Sequence, residues 1–124
     1  MDGEQELFYP HVAAFVSDRL VHLYARRLGQ TYVWCPEWFR HAEALSRLDA
    51  LWRAWEHLRL DPATGISVWW RDHADPHMSV LLSPDGPFAA CRGNHTEYPT
   101  PPLNVAEPPE GLFFDQRKPN LRGL

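Results

Sequence analysis

Three observations predict a mostly α-helical small domain. Two long stretches carry apolar residues every three or four positions, a proline stands at the head of each, and a third, Trp-rich stretch breaks into segments of helical length. In the first stretch, Val12, Phe15, Val16, Leu20, Leu23, Tyr24 and Leu28 fall on one stripe between Pro10 and Leu28. Pro10 suits a first helical turn and Gly29 the position just past a helix end. Asp18, His22 and Arg26 occupy the opposite face, as solvent requires.

The second stripe starts at Pro36 and runs through Trp38, Ala42, Leu45, Leu48, Leu51, Trp52, Trp55 and Leu58. Its outer face pairs Glu43 with Arg47 and Asp49 with Arg53, each at four-residue spacing and worth about 0.2–0.5 kcal/mol. The string Asp61-Pro62-Ala63-Thr64-Gly65 stops it.

Residues 66–88 admit two readings. In one, Thr64 and Asp75 cap two short helices, the second opened by Pro76, and Ser83-Pro84-Asp85-Gly86-Pro87 ends them. In the other, the alternating Ile66, Val68 and Trp70 form a strand that pairs with 78–82 as a hairpin. The helices are favoured. Beyond Cys91 the composition changes: six of the twelve prolines lie in the last 26 residues, so 97–124 reads as an extended Pro-rich tail on a single globular domain spanning 8–96. Leu103, Val105, Leu112, Phe113 and Phe114 are its expected anchors to apolar surface.

A content of 44% apolar and 13% aromatic residues provides for one core without disulfides. The net charge of -4, with 16 acidic against 12 basic residues, argues against a nucleic-acid footprint over the whole domain. No apolar run approaches the roughly 20 residues of a membrane helix. The acidic opening Met-Asp-Gly-Glu-Gln-Glu does not resemble a signal segment, so a cytoplasmic protein with reduced Cys35 and Cys91 is expected.

The strings Trp34-Cys35-Pro36-Glu37-Trp38-Phe39-Arg40-His41, Leu51-Trp52-Arg53-Ala54-Trp55-Glu56-His57-Leu58-Arg59, Trp69-Trp70-Arg71-Asp72-His73-Ala74-Asp75-Pro76-His77-Met78 and Asp85-Gly86-Pro87-Phe88 carry a resemblance. Together they resemble the actinobacterial domain of unknown function four-nine-one-three, over roughly Phe8 to Phe113. That resemblance implies a setting among genes of conjugative elements, integrated plasmids and phages. It implies no activity and no functional residue.

Soft thiolate with imidazole is the ligand set zinc takes, and a structural site closes with four such ligands. The sequence offers His73, His77, Cys91 and His95 as that set, with Cys35 and His41 as further candidates. Pro76 counts against a single helix presenting His73 and His77 on one face, because it removes a backbone donor and crowds the carbonyl four residues back. The account the sequence favours makes the cysteines small core residues and the histidines loop hydrogen-bonders, so no cofactor is expected, with zinc as the alternative. A hydrolytic or nuclease site at Asp72, His73, Asp75 and His77 is the enzymatic alternative, although these are also ordinary turn and cap residues.

Trp34, Trp69, Trp70 and Arg71 are the candidate interaction residues, since exposed Trp and Arg anchor protein interfaces. Cover by the protein's own tail is the alternative for the tryptophans. The sequence thus points to a non-enzymatic protein-interaction or accessory protein of a mobile genetic element, with a protein partner. A zinc-binding or metal-dependent enzyme and a nucleic-acid accessory protein stand as the competing classes; acidic residues interleaved among the arginines weaken the last.

Overall fold

The computed structural model describes residues 6–91, 94–96 and 101–117. It is an all-helical arrangement of three helices, with no strand among the described residues. The hairpin reading of 66–82 is therefore excluded.

Helix α1 comprises α-turns over Val12–Phe15 and Val21–Leu23 around a π-turn at Val16–Leu20. His11 caps it, its Nδ1 accepting from the Ala14 amide. The helix ends at Tyr24, short of the expected Leu28, where the backbone leaves helical geometry (φ -111°, ψ 39°). A 3₁₀ turn at Trp38–Arg40 precedes α2, Ala42–Leu58, so the second stripe begins as a separate turn rather than as one helix from Pro36. Helix α3 comprises Gly65–Val68, a π-turn at Trp69–Ala74, and Asp75–Leu81.

The π-turn in α3 corrects the expectation that Pro76 divides this stretch. Its wider winding relieves the crowding that a proline ring imposes on the preceding turn, and Pro76 falls in the first turn of the α segment that follows. Helix continues through it. Neither Thr64 nor Asp75 caps with its side chain. Instead Asp75 accepts from the Tyr24 hydroxyl, tying α3 to the end of α1.

Phe15, Leu20, Leu48, Leu51, Trp69 and Leu81 are fully buried at the centre of the three helices. The Trp69 indole donates to the Leu51 carbonyl at 3.1 Å. One charged side chain also enters the core: Glu56, 2% exposed, accepts from the amides of Phe8 (2.8 Å) and Tyr9 (2.9 Å), the Trp52 indole (3.0 Å) and Arg59 (3.1 Å). It straps the N-terminal segment to α2. Burial opposes its charge, yet these donors outweigh that effect and hold its pKa below the ordinary glutamate value.

The α2–α3 connection turns on Asp61, whose carboxylate accepts from the Ala63 and Thr64 amides and the Thr64 hydroxyl. Gly65 then passes so close to α2 that a Cβ would lie 1.8 Å from the Leu58 carbonyl oxygen. Gly65→Ala should accordingly destabilise the fold by about 2 kcal/mol or more, read as a lower urea midpoint at unchanged slope. An unchanged midpoint would mean that the backbone yields there freely.

After α3, the Val33 amide donates to the Leu82 carbonyl at 2.9 Å, which joins the α1–α2 connection to the end of α3. Residues 101–117 contain no regular element, as the Pro-rich composition suggests. Their anchoring differs from expectation: Leu103, Val105, Leu112, Phe113 and Phe114 are all exposed, whereas Pro101, Pro102 and Leu103 border a cleft with Arg40, Glu43 and Val80. Residues 97–100 and 118–124 of the tail lie outside the described residues.

Candidate metal centre

Two irregular segments meet beside the N-terminus of α2. The first brings Cys35 and His41, from either side of the 3₁₀ turn; the second brings Cys91 and His95, after the turns that follow α3. One ligand atom from each of these four residues lies within 4.8 Å of the other three. The Cys35 Sγ is 3.3 Å from the His95 Nδ1, and the Cys91 Sγ is 3.6 Å from the His41 Nε2. In a tetrahedral zinc site, metal–sulfur and metal–nitrogen bonds of about 2.3 and 2.0–2.1 Å place S and N roughly 3.6 Å apart. The donor types are those zinc takes and these two sulfur–nitrogen distances lie near that value, while the group as a whole, with separations up to 4.8 Å, is wider than a closed tetrahedral shell.

Local structure explains how each side chain gets there. His41 occupies the N-cap position of α2 in extended conformation (φ -105°, ψ 117°), where Ser, Thr, Asp or Asn would ordinarily bond the first turn. Its side chain makes no capping bond and turns instead to Cys91. The Phe88 ring meets the His41 ring edge-on at 5.0 Å, and the Cys91 amide donates to the Phe88 carbonyl at 2.9 Å. Both cysteines are free and buried. Burial pushes the Cys35 thiol up to about 11, opposed by a hydrogen bond from the Glu37 backbone and aided by the neighbouring Cys91, so this thiol is protonated at neutral pH. Burial and the neighbouring His95 lower the His41 pKa, favouring the neutral imidazole that can ligate.

The structure brings together only two residues of the sequence-derived set. Cys91 and His95 are present, but their companions are Cys35 and His41; His73 and His77 sit on α3 and do not join the group. His77 Nδ1 accepts from Arg47 at 2.9 Å. Of the residues of the enzymatic alternative, Asp72 pairs with Arg71, Asp75 with Tyr24, and His77 with Arg47. Sequence did contain a signal for the observed set, namely a cysteine followed by a histidine within six residues in each of two loops. The His-x3-His spacing of His73 and His77 drew attention instead, although nothing in one sequence says which two loops will meet.

Among the interaction candidates, Trp69 is corrected outright, being 0% exposed in the core. Trp34 is half-buried against Phe88, and Trp70 is half-buried against Tyr24 and Trp69. Arg71 remains at the surface, bridged to Asp72. Ion pairs also engage Arg40 with Glu37, Arg47 with Glu43, Arg53 with Asp49 and Arg59 with Glu56.

A family model described as Domain of unknown function (DUF4913) matches residues 9–109. Searches of curated proteins and of solved structures give no significant match. No helix is long and apolar enough to cross a membrane among the described residues.

Proposed function

We propose that the chain, which belongs to the DUF4913 family, is a non-enzymatic accessory domain of a mobile genetic element that works by binding protein, with one structural zinc holding its C-terminal third in place. The convergence of Cys35, His41, Cys91 and His95 carries the metal part of this reading. Four protein ligands complete a tetrahedral shell and leave no position for a substrate or a reactive water, which marks a structural rather than a catalytic site. The metal would tie the segment before α2 to the segment after α3, across 60 residues between Cys35 and His95.

Support for protein binding comes from the exposed apolar side chains of the tail. The mobile-element setting rests on the resemblance of the long Trp-rich strings alone.

Elemental analysis of the purified, untagged protein tests the metal. About one equivalent of zinc per chain is expected, removable by chelator with loss of thermal stability, and cobalt substituted for it should give the intense visible bands of a tetrahedral thiolate site. A protein that neither holds zinc nor binds added zinc or cobalt reduces the four side chains to a buried thiol–imidazole hydrogen-bond cluster.

A further inference from the structure

We infer that two copies of this chain associate by exchanging tails, the Leu112-Phe113-Phe114 knuckle of each seating in an apolar groove of the other. The groove lies between the end of α1, the segment after it and α3. Val21, Tyr24, Leu28, Trp34, Met78 and Leu82 line a cavity of about 180 Å³ there. A cavity of about 150 Å³ accommodates one benzene ring, so this one takes a phenylalanine side chain. Val21 and Leu28 at its margin are exposed, and none of the described residues covers them.

The tail has the complementary character. Leu103 is 92% and Phe113 74% exposed, a placement that leaves large apolar side chains in water unless a partner covers them. The knuckle is also shaped rather than shapeless: the Leu112 amide donates to the Pro109 carbonyl, and Gly111 takes the left-handed φ of +86° that closes this turn. A preformed turn loses less entropy on docking.

Charge selects the partner. Residues 103–114 contain Glu107 and Glu110 and no basic residue, whereas residues 20–28, along one side of the groove, contain Arg26 and Arg27 and no acidic residue. Arg26 stands at the groove itself. A second copy supplies an acidic, aromatic segment to a basic, apolar groove, and it does so reciprocally, which closes a two-fold dimer with no free end.

Sedimentation equilibrium of the full chain, from micromolar to millimolar concentration, tests this directly. Wild type is expected to pass from the mass of one chain to that of two. Phe113→Ser combined with Phe114→Ser on the tail, and Val21→Asp on the groove, should each weaken self-association tenfold or more. Mixing the two variants should restore association, because one intact tail and one intact groove remain. Thermal melts confirm that both variants fold; Leu28→Asp replaces Val21→Asp if the latter does not. A wild type that stays single at millimolar concentration overturns the proposal. So does a dimer indifferent to both variants, and so does a single chain whose Trp34 fluorescence responds to the tail substitutions, since that places the tail in its own groove.

Discussion

Glu56→Ala should destabilise the protein by about 3–5 kcal/mol, the cost of removing one partner from a buried, charge-assisted network. The substitution strands the Phe8 and Tyr9 amides and the Trp52 indole together, and it frees the N-terminal segment that packs Phe8 and Tyr9 on Trp55. Urea unfolding monitored by tryptophan fluorescence measures the loss; a change below about 1 kcal/mol would show that the segment docks by its aromatic rings alone. The same carboxylate sets a pH dependence. Because its folded pKa is depressed, its contribution is complete above the ordinary glutamate range and is lost as pH falls through the lower folded value. Glu56→Gln should flatten that acid limb of the stability profile, whereas an unchanged limb would assign it to other carboxylates.

The second large effect concerns the metal centre. With zinc at about a thousand times its dissociation constant, binding adds roughly 4 kcal/mol to folding, which for a domain of this size is a rise in Tm on the order of 10–20 °C. His41→Ala should remove that increment, and chelator should then do nothing further. His77→Ala should leave both the zinc content and the chelator response intact, since its imidazole is engaged with Arg47. If His41→Ala and wild type melt alike with and without chelator, the metal contributes nothing to the fold and the structural role fails.

Helices α1 and α2 were legible because their apolar stripes obey a single period, and a period survives local irregularity. The stripe of α1 is unbroken in sequence although five of its residues adopt a π-turn. The end of α1 was misjudged because Leu28 continues the spacing, while Gly29 only says that a helix must be over by then. Pro76 misled for a related reason: its penalty assumes a regular α-turn, and the chain avoids that turn by winding wider at Trp69–Ala74. The metal candidates mark the boundary of what one sequence can show. Cys91 and His95 are near neighbours and could be paired by spacing, but Cys35 and His41 reach them only because the Val33–Leu82 hydrogen bond and the helical packing bring the segment before α2 alongside the segment after α3. Trp69 and Trp70, adjacent in the chain, separate into one core residue and one half-buried residue, because neighbours on a helix point in different directions.

The long closures have a consequence for how the chain leaves the ribosome. Phe8 waits 48 residues for Glu56, His41 waits 50 for Cys91, and Cys35 waits 60 for His95. At synthesis rates of about 5–20 residues per second, His95 follows Cys35 out of the ribosome roughly 3–12 s later. Helix α2 can form meanwhile, but neither the segment ahead of it nor the loop at its head can dock until later chain arrives. The nascent protein therefore completes folding in one late step, and during that interval Cys35 is open to any oxidant or foreign thiol it meets.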